Sequence, residues 1–217
     1  MTIKQRYETV LQRFAEMMPS PKTELHYDTP FHLLLAVILS AQCTDKRINQ
    51  VTPALFEAYP TPETLAAATH EEVYQYIKSV SYPNNKARSL IGAARTLVER
   101  FQGEMPTDID SLMELPGVGR KTANVMLAVV FGKAAMAVDT HVFRVSDRIG
   151  LTTGCKTPRQ TELQLCKYIP NDIMHDAHHW LILHGRYVCK ARRPDCLNCF
   201  LTDCCRHYTT LTKKSKQ

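Results

Sequence analysis

The sequence predicts an all-α protein, and three observations carry that prediction. Apolar residues recur at intervals of three and four through most of the 217 positions, the spacing of one face of a helix. No stretch alternates at period two for long enough to build a sheet. Thr and Asp stand repeatedly just ahead of the apolar runs, where a side-chain oxygen can take the first free N–H groups of a helix. An apolar fraction of 44% suffices for a core, and the length allows one large domain or two modest ones.

Taken in order, residues 3–18 read as an amphipathic helix with Val10, Phe14 and Met17 on one side, stopped by Pro19 and Pro21. Residues 27–30 form a loop. Residues 31–41 are the most apolar run, too short to cross a bilayer, and residues 31–43 predict a buried, central helix. Thr44-Asp45 can cap the next helix, whose apolar face carries Ile48, Val51, Leu55 and Phe56. Thr61 caps a short helix reaching residue 68, and Thr69 with Glu72 makes a capping box for a helix reaching residue 80. Residues 81–85 are a turn, 86–102 a longer helix ended by Gly103, and Asp108 starts a short helix. After Gly132, Asp139 opens a helix to about residue 149, and residues 158–169 and 172–185 are two more. A cysteine loop and a lysine-rich tail follow.

The formal charge of +6 is too small to prove a nucleic-acid partner, but its distribution is informative. Arg186, Lys190, Arg192, Arg193, Arg206, Lys213, Lys214 and Lys216 crowd the last part of the chain, where Asp195 and Asp203 alone oppose them. That is the footprint of a phosphate-binding surface, although Lys213 to Lys216 by themselves read as a solvated tail. The N-terminus has Lys4, Arg6 and Glu8 and no apolar signal-peptide core, so the expected location is cytoplasmic. The eight cysteines are then expected reduced rather than paired.

One stretch organises the rest. In Leu115-Pro116-Gly117-Val118-Gly119-Arg120-Lys121-Thr122-Ala123, Pro116 cannot continue the preceding helix, and the two glycines permit a tight turn. A new periodic run then begins, with Val118, Thr122, Val125, Met126, Val129 and Val130 on one face. The result is helix, Gly-rich hairpin, helix, with N–H groups of the turn and second helix aimed outward in the arrangement that binds an anion such as a phosphate.

The Lys that follows the hairpin Arg, and the Asp of Val138-Asp139-Thr140-His141 some eighteen positions on, resemble the helix-hairpin-helix DNA glycosylases, and within them the endonuclease III branch. The likeness extends from about residue 27 to 206. It implies two helical domains with the active-site cleft between them. One is a six-helix barrel with the helix-hairpin-helix motif over residues 22–133. The other joins residues 1–21 to 134–217 and carries a [4Fe–4S] cluster loop at 189–205. It further implies a monomeric base excision repair enzyme acting on double-stranded DNA that contains damaged pyrimidines or abasic sites.

Lys121 is the first candidate for catalysis. A lysine attacks an electrophilic carbon only as the neutral amine, which desolvation or nearby positive charge favours, and partial burial at a helix N-terminus provides both. The alternative is a surface lysine that contacts phosphate. By resemblance, Lys121 displaces an oxidised pyrimidine such as thymine glycol at C1′, forms a Schiff base with the opened sugar, and the strand breaks 3′ to the site by β-elimination. Asp139 reads as a helix N-cap and, compatibly, as a carboxylate that stabilises positive charge at C1′ and helps deprotonate Lys121.

Reaching C1′ requires flipping the nucleotide out of the duplex, and something must fill the gap. By resemblance, Gln42 and the tip of the Ser81-Tyr82-Pro83 loop do this. The sequence departs here from the Gly-Leu-Tyr type of triplet common in the family and puts Tyr82 in the wedge position, where an aromatic ring can stack on a base. An ordinary Pro-Asn turn is the alternative. The family also places Leu115, Gly117, Val118, Gly119, Arg120, Thr140 and His141 at the DNA. His141 reads equally as a histidine satisfied locally.

Cys189, Cys196, Cys199 and Cys205 follow the spacing C-x6-C-x2-C-x5-C. Four thiolates in one loop can hold zinc or a [4Fe–4S] cluster, and spacing alone does not decide. The family pattern selects the iron–sulfur cluster, and Cys205 over its neighbour Cys204, with Lys190, Arg192 and Arg193 aimed at DNA phosphates. The cluster's expected role is structural or DNA-sensing rather than redox catalysis. Cys43, Cys155 and Cys166 have no partner spacing and are expected buried. His175, His178, His179 and His184 read as core-edge and capping residues. Competing functions are an adenine glycosylase of the same fold, a non-catalytic helix-hairpin-helix clamp, and a zinc-binding nucleic-acid adaptor.

Overall fold

The computed structural model describes residues 1–214, and side chains through residue 212. The order is α1 (Ile3–Met17), α2 (Pro30–Ser40), α3 (Asp45–Ala58), α4 (Pro62–Ala66), α5 (His70–Ile77), α6 (Pro83–Phe101), α7 (Ile109–Met113), α8 (Arg120–Val129), α9 (Thr140–Ile149), α10 (Pro158–Tyr168), α11 (Met174–Tyr187) and α12 (Arg206–Lys214), with a 3-10 turn at Asn171–Ile173. No strand occurs among the described residues, and no helix is long and apolar enough to cross a membrane. The fold is all-α, as the periodicity predicts.

The chain divides into two compact units, Thr23–Phe131 and Met1–Lys22 with Gly132–Gln217. In the first, α2 is the centre. Every residue from Phe31 to Leu39 is buried, and α3, α6 and α8 pack around it. A helix apolar on all sides has to be enclosed, and each enclosed Leu or Ile contributes about 1.5–3 kcal/mol of transfer free energy. α2 stops at Ser40, short of residue 43, because Thr44 must be extended to cap α3 through the Arg47 N–H. α6 begins at Pro83, three residues ahead of the expected start, since proline fits the first helical turn. On α8 the buried face is Ala123, Asn124, Met126, Leu127 and Ala128, rotated from the valine-rich face that periodicity picks. Which face turns inward is set by where α2 and α7 pack against α8, a tertiary choice that a hydrophobicity pattern does not reveal.

The second unit is built on α1. Tyr7, Val10 and Phe14 enter a core with Val142, Val145, Leu165, Trp180 and Leu181. Met17, expected on that face, is 60% exposed, and at this last turn of α1 it is Met18, with Leu11 earlier, that packs against the core instead. Phe14 stacks on Trp180 with ring centroids 5.8 Å apart and meets His184 and Phe200 edge-on. Trp180 Nε1 donates to the Met18 carbonyl at 2.7 Å, and Tyr7 to the Leu151 carbonyl at 2.9 Å. Thus a residue range from the far N-terminus completes a core made mostly of C-terminal helices. α12 has no counterpart among the sequence-based expectations, since its Thr- and Lys-rich run has little apolar periodicity.

His32 shows how tight the α2 surround is. It is buried, its ring stacked on Phe56 at 4.0 Å, with Nδ1 3.6 Å from Asp28 Oδ2. Burial lowers its pKa more than the Asp28 carboxylate raises it. The unfolded chain therefore binds a proton more readily than the folded one. The stability contributed by neutral His32 is complete above the ordinary histidine pKa of about 6.5 and is lost as pH falls toward the lower folded-state value. Urea midpoints measured from pH 7 to pH 5 should fall for the parent, and His32→Phe should flatten that fall; an unchanged slope would place the acid sensitivity elsewhere.

Candidate functional site

The hairpin of the Thr23–Phe131 unit is closed by backbone bonds, Leu115 N–H to Leu112 O at 3.2 Å and Val118 N–H to Leu115 O at 3.0 Å. Leu115 and Val118 are buried, so what they present outward is peptide rather than side chain. Gly117 has φ +83, and a Cβ there would lie 2.7 Å from Ser89 Cβ. Gly119 is the N-cap of α8 and provides no side-chain cap. A Cβ on Gly119 would meet nothing within 4 Å, so the space in front of the helix start is open. Uncapped N–H groups at the positive end of a helix dipole, with open space before them, suit an anionic oxygen.

Lys121 lies in the first turn of α8 and is exposed, with Arg120 half-buried beside it. The partial burial expected for Lys121 is absent. Side chains on a helix lean toward its N-terminus, so one in the first turn leans past the last protein atoms that could cover it.

Gln42 and Tyr82, distant in sequence, are brought together. Ser81 Oγ donates to the Gln42 carbonyl at 2.8 Å. Gln42 and Tyr82 are both exposed and both left-handed, at φ 54 and 56. For a residue with a side chain, this conformation costs roughly 1–2 kcal/mol.

In the other unit, Asp139 caps α9. Its Oδ1 accepts from the His141 and Val142 N–H groups, each at 2.8 Å, while buried Ala137 and Val138 anchor the approach. Thr140 is exposed. His141 is half-buried, with Nδ1 3.2 Å from the Arg144 guanidinium, and packs against Gly185 of α11, where a Cβ would come within 2.8 Å of its own. The histidine is thus engaged locally.

Cys189, Cys196, Cys199 and Cys205 line one cavity with about 360 Å³ of empty space, part of it open to solvent. Cys204 is absent from that lining. Its thiol is buried in the core and donates to the Leu201 carbonyl at 3.3 Å. No three His, Cys, Asp or Glu side chains among the described residues close around a single metal ion. The donor set still fits a thiolate-held group. Burial, with the neighbouring thiols, pushes the Cys196 and Cys199 thiols up, Cys199 to about 11, so only a bound cation would hold them ionised near neutrality. The Leu201 N–H lies 3.5 Å from Cys199 Sγ and Arg148 Nη1 3.6 Å from Cys189 Sγ, both positioned to donate to thiolate.

Arg144 and Arg148, one turn apart on α9, are functional candidates that the residue pattern alone does not single out. Arg148 donates to the carbonyls of Lys190 (2.7 Å) and Ala191 (3.0 Å), and Arg144 to those of Cys189 (3.2 Å) and Gly185 (2.9 Å). These bonds hold the cysteine loop while Lys190, Arg192 and Arg193 stay exposed. Their spacing of four was legible; their target was not. Arg206, grouped above with the phosphate-binding cations, is instead tied to Asp147 at 2.8 Å and to Thr153. Lys216 and the side chains of Lys213 and Lys214 lie outside the described residues. Cys166 is exposed and Cys43 and Cys155 are half-buried, against expectation. α10 turns Thr161, Glu162 and Leu165 inward, and Cys166 falls one step off that face. His178, His179 and His184 are buried, and burial lowers the pKa of His184 to about 4.

A family model described as HhH-GPD superfamily base excision DNA repair protein matches residues 35–171. Endonuclease III of Rickettsia conorii is 48% identical over 93% of this chain and 96% of its own length. Endonuclease III of Escherichia coli K12 is 46% identical over 91% of this chain and 93% of its own length. A solved structure of a trapped endonuclease III–DNA covalent intermediate superposes with a TM-score of 0.92 at 45% identity, covering 98% of this chain and all of that one.

The hairpin glycines should respond differently to alanine. Gly117→Ala combines a left-handed backbone with contact against Ser89 and should cost about 2 kcal/mol or more, while Gly119→Ala should stay within about 0.5 kcal/mol. Urea unfolding of both variants checks this, and equal losses would mean that the turn is not set by backbone sterics.

Proposed function

Because the chain belongs to the HhH-GPD superfamily of base excision DNA repair proteins, in its endonuclease III branch, we propose that it is a bifunctional DNA glycosylase and abasic-site lyase that removes oxidised pyrimidines, thymine glycol among them, from duplex DNA. The observation that carries this reading is Lys121 in the first turn of an uncapped helix after a Gly hairpin. The backbone N–H groups of the hairpin and of α8 bind a phosphate of the damaged strand. That contact places the Lys121 amine beside the sugar of the extruded nucleotide.

Neutral Lys121 attacks C1′. The C1′–N bond breaks, and the base leaves with its electron pair and takes up a proton. The sugar ring opens and C1′ becomes the carbon of a Schiff base. Loss of a C2′ proton then expels the 3′ phosphate oxygen, which is the β-elimination that cuts the strand. Lys121 is exposed in the free protein, so the DNA itself supplies the desolvation that favours the neutral amine. Asp139 has Oδ1 committed to two N–H groups of α9. Its rigidly held carboxylate stabilises positive charge at C1′ and accepts the lysine proton.

Gln42 and Tyr82 occupy the gap left by the extruded nucleotide. Cys189, Cys196, Cys199 and Cys205 would hold a [4Fe–4S] cluster, whose contribution is to cross-link the loop at its four thiolates. Lys190, Arg192 and Arg193 of that loop bind DNA phosphates, and each such contact makes affinity fall with salt. The barrel reading of residues 22–133, the cluster-domain reading of residues 1–21 with 134–217, and a monomer working in the cytoplasm belong to the same proposal.

Borohydride trapping on a duplex with one thymine glycol tests the reading. The parent should yield a covalent adduct, and Lys121→Gln should bind DNA but give neither adduct nor cut strand; an adduct with Lys121→Gln would overturn the assignment. Asp139→Asn should keep the stability of α9 to within about 0.5 kcal/mol, as asparagine caps nearly as well, while slowing base release by about 10²-fold or more. Unslowed release would reduce Asp139 to a helix cap.

A further inference from the structure

Lys86 is 7% exposed, an unusual place for a lysine, and it has no part in the proposed chemistry at C1′. It sits on the first turns of α6, and its Nζ donates to the carbonyls of Leu39 and Ala41, each at 2.7 Å. Those carbonyls lie at the C-terminal end of α2, where the helix dipole is negative and favours a cation. Burial lowers the lysine pKa, an effect the nearby Cys43 partly offsets.

The bonds have a specific consequence for Gln42. The Ala41 carbonyl belongs to the peptide plane that enters Gln42. The Gln42 carbonyl belongs to the plane that leaves it, and Ser81 Oγ holds that one at 2.8 Å. With both flanking planes fixed, the left-handed φ of 54 at Gln42 is fixed too. The backbone N–H of Lys86 also bonds the Tyr82 carbonyl at 3.1 Å, which starts α6 directly after the left-handed Tyr82. That backbone bond is one any residue at position 86 would make, so the Lys86 side chain acts on Gln42 alone, and Tyr82 itself provides no side-chain cap.

We propose that Lys86, assisted by Ser81, is a positioning residue that sets Gln42 in its inserting conformation and so governs extrusion of the damaged nucleotide rather than chemistry at C1′. This rests on the reading of Gln42 and Tyr82 as the residues that fill the gap. Lys86 need not touch DNA. It acts by keeping one exposed left-handed residue, Gln42, from relaxing to the commoner right-handed or extended conformations, and relaxation would cost each insertion event a backbone rearrangement.

The test is single-turnover release of thymine glycol from duplex DNA by the full-length protein. Lys86→Met and Ser81→Ala are each placed in the parent and in a Gln42→Ala, Tyr82→Ala background. Lys86→Met should slow release by at least about ten-fold, the scale of releasing one left-handed residue. Ser81→Ala should slow it several-fold, and neither should slow the doubly substituted background further. Both should retain cutting of a single-stranded abasic oligonucleotide, in which no base has to be extruded. Equal losses in both backgrounds would reduce Lys86 to general scaffolding and overturn the proposal. Release at the parent rate by Lys86→Met and Ser81→Ala would overturn it as well. If Lys86→Met fails to fold, the Ser81→Ala cycle decides by the same criteria. A doubly substituted protein that releases thymine glycol at the parent rate would instead sink the reading of Gln42 and Tyr82, a result obtained without touching Lys86.

Discussion

Every α-helix leaves its first N–H groups and its last carbonyls without partners inside the helix, and a protein made almost wholly of helices has to dispose of them all. This chain does so in two ways. α1, α2, α3, α4, α5, α7 and α10 each begin at a Thr or Asp whose side chain takes an N–H, and α1, α4, α5 and α10 close a reciprocal capping box. These starts are self-contained and inert. α8 begins at a glycine with nothing to offer its own N–H groups. α6 begins at a left-handed tyrosine without a side-chain cap. α11 also starts without a side-chain cap, directly on the 3-10 turn at Asn171–Ile173, while α6 and α8 are the two that bear residues assigned here to DNA. A helix end that the protein does not satisfy is one that a ligand can.

The same constraint explains why α9 combines structure with chemistry. Asp139 satisfies two N–H groups through one oxygen, which fixes the carboxylate more firmly than a freely rotating surface Asp. One and two turns further on, Arg144 and Arg148 reach out of α9 to carbonyls of the cysteine loop. A loop rich in cations repels itself, and a buried set of thiols does not ionise unaided. Guanidinium bonds to the loop backbone hold its path, with Lys190, Arg192 and Arg193 left to the solvent. α9 thus carries a candidate catalytic carboxylate at its head and the supports of a basic surface along its length.

The C-terminal end of α2 follows the rule in reverse. Its last carbonyls fall where the chain must leave the core for an exposed loop, and they are met by a buried lysine rather than by the usual glycine in the left-handed position. The left-handed place is taken by Gln42, a residue with a long polar side chain. Accepting that strain puts an amide at the loop tip, where glycine would put nothing.

What the sequence by itself determined was whatever depends on neighbours in the chain. Thr61, Thr69, Asp108 and Asp139 mark helix starts because a cap acts over three residues, and the structure has helices starting at each. The Gly hairpin ahead of Lys121 and the cysteine spacing were legible for the same reason, and so was the burial of α2, whose run of apolar residues has no face to spare. Tertiary structure alone decided which face of α8 turns inward, since that depends on where α2 and α7 pack against it. It also decided that Lys121 stands exposed, that Arg206 belongs to Asp147, and that Lys86 reaches the end of α2 some forty-five residues earlier in the chain. A long flexible cation looks the same in sequence whether it meets water, a carboxylate or a carbonyl. Only the fold brings one of those partners within reach.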